Sequence, residues 1–570
     1  MQRRLFLFAS ALALAPAFSF PAIAKAPSGQ VYDKGMVSSA DPRATEAGLE
    51  MLRRGGSATD AAIATMLALT VVEPQSSGIG GGGFYVTADR KGRIRTIDGR
   101  ETAPKAAHPQ WFFKDGKRMS FSDAVPGGTS VGVPGNIALA AKAHRLNGKL
   151  KWATLFGPAI KLAREGWTIT PRGRQFLDFA KGSAAFTPAG TALFYGSDGK
   201  PLPERSQVTN PELAKTMELL ARKGPRWFYT GANAKAIVGA VTTAPRNPAP
   251  MTLKDVASYQ AKDRAPICGQ YREYKVCGMA PPSSGETTVF AVLKQLERFD
   301  LKALGPDSPT AWHLIAESMR LAYADRAKYL GDADFVTVPV KGLTDPAYLA
   351  SRSALIDPTR SLGLVTAGSP PGSEKLARAE GTAGPEHGTS HFVAVDRKGN
   401  VVTYTSTIES AFGSGLMAGG YYLNNELTDF DMAPERDGKP AANRVESGKR
   451  PRSSMAPTLV YGPDGKLRLA IGAAGGTTIP AQVAKSIIGV LDWGMSAQDA
   501  IAAPLIFAPE GPAVFVESGT KLEAMIPALK ALGHADVRTR PGGKANAIEV
   551  VGGQLRGGAD PRSDGVAAAE

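Results

Sequence analysis

Cysteine and histidine are scarce in this chain. It has two cysteines, Cys268 and Cys277, and six histidines in 570 residues. No histidines stand at a metal-binding spacing. His387 and His391 are four apart but straddle a strand entry, so they do not share a helix face and no metal site is read. There is no G-x-S-x-G motif, which removes the nucleophile elbow of the α/β-hydrolases. No second apolar span follows the N-terminal one, so no membrane anchor is expected. Lys and Arg exceed Asp and Glu by 67 to 52, a formal +15, yet they are scattered. The nearest basic cluster, Lys449-Arg450-Pro451-Arg452, has no interleaved aromatics, so nucleic acid is not read as a partner.

What is present is a globular composition, 43% hydrophobic and 21% charged. Arg3-Arg4, an apolar run from Leu5 to Phe20 and Ala22-Ile23-Ala24 form a cleavable signal peptide over residues 1–24. The arginine pair also fits a twin-arginine signal, so a periplasmic or secreted product is expected by either route. Around the cysteines, Ile267–Tyr271 and Tyr274–Cys277 read as a hairpin with a two-residue turn. Pairing Tyr271 with Tyr274 places Cys268 opposite Cys277 at a site where Cα atoms lie about 4.5 Å apart. A cross-strand disulfide is expected in an exported protein. Neither cysteine is read as catalytic.

Along the chain, residues 42–54 form a helix stopped by Gly55-Gly56, and Ser57 with Asp60 makes a capping box for the next, which is apolar nearly all round from Ala61 to Val72. A glycine run, Ser76–Gly83, follows. Gly78, Gly80 and Gly83 match G-x-G-x-x-G, but a helix leads in and a strand leads out, the reverse of the dinucleotide fingerprint. A close-packed turn is the better reading, and no cofactor is called for. Arg100, just past a strand, could clamp a carboxylate or serve as an ordinary ion-pair arginine. Val131–Gly135 opens a helix over 136–147, and a mostly helical stretch to Ser353 is broken by the cysteine hairpin and by Pro281–Gly285. Residues 365–386, rich in Gly, Ser, Pro and Ala, read as a flexible linker. Later, Glu426 and Asp429 stand three apart in a loop, and Ser453-Ser454 follow the basic cluster. The tandem Gly475-Gly476 after the strand at Leu467–Ile471 could aim two N–H groups at one point, or simply turn the chain. Beyond them, helices over 496–503 and 521–532 alternate with short strands over 513–517 and 547–551.

The stretch from Glu386 to Phe412 carries the chemistry. It reads as a β-hairpin, strands at 391–395 and 401–405 around a Gly399-Asn400 turn, entered through Gly388-Thr389. A threonine hydroxyl needs a base, and a chain cut before Thr389 would supply the residue's own α-amine. That amine has a reference pKa of about 7.7–8.0, so part of it is neutral near physiological pH. The Thr389 hydroxyl could make the cut by attacking the Gly388 carbonyl. Gly388, with no Cβ, would tolerate the strained backbone required.

Taken together, Ser76–Gly83, Val131–Gly135, Pro281–Gly285, Thr389–Phe392, Asn424–Phe430, Pro451–Ser454, Gly475-Gly476 and Ala559-Asp560-Pro561-Arg562 resemble the γ-glutamyltranspeptidase (glutathione hydrolase) family of N-terminal-nucleophile hydrolases. The resemblance implies an α+β fold, a four-layer αββα sandwich. It implies a precursor cut between Gly388 and Thr389 into a large subunit, 25–388, and a small one, 389–570, together forming one domain. By the same resemblance Thr389 is nucleophile and base, Thr407 orients it, and Gly475 and Gly476 stabilise the oxyanion. Arg100, Ser453 and Ser454 clamp the substrate α-carboxylate, while Glu409, Glu426 and Asp429 hold its α-ammonium. The implied substrates are γ-glutamyl amides such as glutathione, with water, amino acids or dipeptides as acceptors. Two departures stand out. Glu409 replaces the asparagine of well-known members, and the short interval from Asp429 to Ser453 leaves little room for a lid loop. A cephalosporin or glutaryl-amide acylase on the same scaffold, and a non-catalytic exported γ-glutamyl-binding protein, are the alternatives. The first would dispense with the ammonium site; the second would lack self-cleavage.

Overall fold

The computed structural model describes residues 31–379 and 388–570. The expected signal peptide, part of the expected linker (380–386) and His387 lie outside them. Thirteen strands in two sheets carry the architecture: β1 (Met36–Ser39), β2 (Gly82–Ala88), β3 (Ile94–Gly99), β4 (Lys262–Arg264), β5 (Ile267–Tyr271), β6 (Tyr274–Gly278), β7 (Ser390–Val395), β8 (Val401–Thr407), β9 (Thr458–Tyr461), β10 (Leu467–Ala474), β11 (Lys544–Val551), β12 (Gln554–Ala559) and β13 (Val566–Ala569). One sheet runs β13-β1-β7-β8-β2-β3-β4 and the other β12-β11-β10-β9-β6-β5.

Period-two alternation sorts the side chains between layers. From the first sheet, Tyr85, Phe392, Ala394, Val402 and Tyr404 join a core with the outer helices, whereas Phe84, Val86, Val393, Val395 and Val401 join a second core shared with the other sheet. Both faces of β2, β7 and β8 are buried, which is why apolar side chains stand on both sides of them. The outer helices on the first side include α1 (Pro42–Arg53), α2 (Ala58–Val72) and α3 (Asn136–Asn147). On the far side of the second sheet lie α4 (Gly285–Leu296), α5 (Pro309–Tyr329) and α6 (Ile479–Leu491). Helix, sheet, sheet and helix give the αββα sandwich.

Local signals place most of these elements. Asp41 caps α1, and the Ser57–Asp60 capping box opens α2, every residue of which is buried. Tyr271 lies opposite Tyr274 in the β5–β6 pair, and Cys268 and Cys277 are joined in a disulfide.

Several expectations are corrected. Residues 365–379 are tied down rather than free: Tyr329 donates to the Gly368 carbonyl at 2.7 Å, Gly368 N–H donates to Asp325 at 2.7 Å, and Arg352 donates to the Thr366 carbonyl at 3.0 Å. The helix expected over 521–532 is two short ones, Lys521–Ala524 and Ile526–Ala531, with Pro527 in the first turn of the second. The basic cluster is interior. Lys449, Arg450 and Arg452 are buried, with Arg450 paired to Asp98 and Lys449 to Glu446.

Candidate active site

Thr389 immediately precedes β7 and is buried, 4% exposed. Its hydroxyl lies against the Gly388 carbonyl oxygen and 3.2 Å from Thr407 Oγ1, at the end of the partner strand β8. Thr407 Oγ1 in turn accepts from Glu409 N–H at 2.8 Å. Gly388 is not in the left-handed region. Glycine is needed there for space, because a Cβ would run into the Glu409 carbonyl, to which Gly388 N–H donates at 2.5 Å. The glycine run packs on the same spot, since a Cβ on Gly81 would strike the Thr407 carbonyl. It is a close-approach turn and not a phosphate loop.

Gly475 and Gly476 follow β10 at φ +116° and +61°, a pair of positive values that only glycine adopts without strain. The two turn the chain sharply out of β10 and into α6.

Arg100 is fully buried and already paired. Its guanidinium contacts Glu426 and Asp429, and it donates to the carbonyls of Pro451 at 3.1 Å and Arg452 at 3.0 Å. Those carbonyls lead directly into Ser453 and Ser454. The Ser454 hydroxyl accepts from Arg326 at 2.6 Å and that of Ser453 from Met455 N–H at 3.2 Å, so each retains its own O–H to donate. Glu409 sits at φ 76°, and its carboxylate accepts from Ser410 Oγ at 2.5 Å and from Asn425. Contacts therefore run from Thr389 through Thr407, Glu409 and Asn425 to Glu426, Arg100 and Asp429.

The electrostatics are those of too few cations. Burial works against the Arg100 charge, but Glu426, Asp429 and Glu101 outweigh it and hold the guanidinium protonated. Burial raises Glu426 and Asp429, with Arg100 pulling the other way. Glu101 is pushed up to about 8 by burial, against the pull of Arg100. No cationic or hydroxyl side chain donates to either Glu101 oxygen or to Oε2 of Glu426. The two carboxyls face each other, an arrangement that holds only when one carries a proton.

Sequence reading missed Glu101, Arg326, Glu73 and Lys544. Glu101 adjoins Arg100 and could have been suspected; the others come from distant segments with no local signal. Among the described residues His313, Glu317 and His534 also converge, which no spacing foretold. Their polar atoms engage one another. His313 Nδ1 and His534 Nε2 are 2.8 Å apart and hydrogen-bonded, Glu317 lies toward the other ring nitrogen of His534, and Arg320 stands beside it.

This architecture, with a hydroxyl residue at a strand start between the sheets, is that of the N-terminal-nucleophile hydrolases. The family model for gamma-glutamyltranspeptidase matches residues 44–570, and the chain belongs to that family. It is 37% identical over 580 aligned residues to the glutathione hydrolase proenzyme of Bacillus subtilis (strain 168), covering 98% of this chain and 96% of that protein. Among solved structures, the cephalosporin acylase of Bacillus halodurans superposes with a TM-score of 0.82 at 26% identity, over 98% of this chain and 99% of that one. The γ-glutamyltranspeptidase of Helicobacter pylori gives 0.55 at 36% identity, over 57% of this chain and 92% of that one.

Proposed function

We propose that this chain is a self-processing γ-glutamyltransferase and glutathione hydrolase whose nucleophile is Thr389. In the precursor the Thr389 hydroxyl attacks the Gly388 carbonyl, the peptide nitrogen leaves as the Thr389 α-amine, and water opens the resulting ester. The products are residues 25–388, once the signal peptide is removed, and 389–570. The placement of the hydroxyl against that carbonyl, and the word proenzyme in the name of the Bacillus relative, support this step.

In the processed enzyme the α-amine takes the hydroxyl proton as Thr389 Oγ1 attacks the γ-carbonyl of a γ-glutamyl amide. Gly475 and Gly476 N–H groups stabilise the oxyanion, Thr407 orients the nucleophile, and the amine returns the proton to the leaving nitrogen. Water or an amino group then releases the γ-glutamyl group from the threonine ester.

The observation that carries the substrate assignment is the self-paired pocket. Arg100 is satisfied by Glu426 and Asp429 before any ligand arrives. A ligand bearing only a carboxylate would displace these acids from Arg100 and leave them buried and uncompensated, a cost of several kcal/mol. A zwitterionic γ-glutamyl head group avoids that cost. Its carboxylate takes Arg100 with Ser453 and Ser454, while its ammonium goes to Glu426, Asp429 and Glu409. The similarity to a cephalosporin acylase makes the glutaryl-amide alternative the one to test. Asp429→Asn is expected to lower kcat/KM for a γ-glutamyl anilide by roughly 30-fold or more, about 2 kcal/mol, and to spare or improve turnover of the glutaryl anilide. Undiminished γ-glutamyl turnover would remove Asp429 from the ammonium site.

A further inference from the structure

The nucleophile and the oxyanion turn belong to different sheets, so their separation depends on what spans the sandwich. Lys544, the first residue of β11 in the second sheet, sends its buried side chain toward the first. Its three ammonium protons have three acceptors: Glu73 Oε1 at 2.8 Å, Glu73 Oε2 at 2.7 Å and the Thr389 carbonyl at 3.3 Å. Glu73, at the end of α2, also accepts from the Ser390 hydroxyl at 2.6 Å, and Ser77 donates to that hydroxyl at 3.0 Å. On its main-chain side Lys544 lies opposite Ala474, the residue before Gly475. Its N–H donates at 2.9 Å to Gln482, which donates to the Ala474 carbonyl at 2.7 Å and to Thr478 Oγ1 at 3.0 Å.

We infer that the Lys544–Glu73 pair is a positioning device that holds Thr389 at a fixed distance from the Gly475-Gly476 turn once the chain has been cut. The inference rests on Thr389 being the nucleophile. Ladder pairing to β8 begins at Ser390, so cutting before Thr389 leaves that residue beyond the ladder. Chain ends fray unless tied down, while reacting groups displaced by about 1 Å can lose on the order of 100-fold in rate. Lys544 grips the carbonyl of the nucleophile residue, and Glu73 grips the next side chain. Neither touches the reacting hydroxyl or the head-group pocket, so the pair acts through Thr389.

The test separates position from stability. Lys544→Met leaves Glu73 buried without its cation, so that variant loses both stability and rate. Glu73→Gln combined with Lys544→Met removes both charges and keeps an amide beside Ser390. The expected result for the double variant is a Tm near that of the wild type and a KM within about threefold, with kcat still reduced by roughly tenfold or more. A double variant whose kcat recovers along with its Tm would overturn the inference, as would a Lys544→Met enzyme altered in KM alone. If wild-type protein is never cut before Thr389, it is the nucleophile assignment that fails. If the wild type is cut and active and the double variant matches it, only the positioning role fails.

Discussion

A buried carboxylate keeps its charge only where cations or donors surround it. Glu101 has the nearest Arg100 nitrogen 3.9 Å away, and no side chain other than the facing Glu426 offers either oxygen a proton. Burial raises both Glu101 and Glu426, so the facing pair holds one proton between them in the free enzyme at neutral pH. An incoming α-ammonium must displace that proton. Affinity for a γ-glutamyl donor therefore rises, and KM falls, as pH climbs toward about 8. In Glu101→Gln this slope is expected to vanish, with KM at the alkaline end raised by about tenfold, or 1.4 kcal/mol. Steady-state kinetics across that range check it, and an unchanged slope in the variant would assign the proton elsewhere. Glu101 was within reach of sequence reading only as a neighbour of Arg100. That it shares a proton follows from burial, which adjacency does not reveal.

At the scale of elements, the hairpin around Thr389 was largely legible. Strands expected at 391–395 and 401–405 are observed as Ser390–Val395 and Val401–Thr407. β-branched and aromatic residues flank a Gly-Asn turn, and these signals are local. The two added residues of β8 bring Thr407 into the ladder opposite Gly82, a tertiary effect. The Lys544–Glu73 contact spans 471 residues and has no local signature. Helix α4 shows the same limit. Pro281–Gly285 was legible as a break in a helical stretch, yet nothing local revealed that Glu286, in the first turn after it, is wholly buried. Burial pushes Glu286 up to about 8, with one weak donor, Thr458 Oγ1 at 3.2 Å. A carboxyl raised in the folded state contributes stability below its unfolded pKa of about 4.5 and loses it as pH rises to about 8. Glu286→Gln should abolish that decline and leave the protein more stable at pH 8, by up to about 5 kcal/mol. Urea unfolding at both ends of the range tests this, and a variant with the wild-type slope would contradict it.

At the scale of the whole molecule, the two proposed fragments interleave. The first sheet alternates between them: β13, β7 and β8 come from the C-terminal part, and β1, β2, β3 and β4 from the N-terminal part. In the second sheet β9 of one pairs with β6 of the other. Separating them would open both sheets and both cores. The cut protein is therefore expected to elute as one species of unchanged size in native buffer and to resolve into two chains only in denaturant. Two native peaks would contradict this. By the proposed chemistry, Thr389 is made a nucleophile by a cut it performs itself. Intact mass and N-terminal sequencing of the purified wild type and of Thr389→Ala test it most directly. Two wild-type fragments are expected, the smaller beginning Thr-Ser-His-Phe, and an uncut variant. A wild-type chain that stays whole, or a Thr389→Ala chain cut at the same bond, would contradict it.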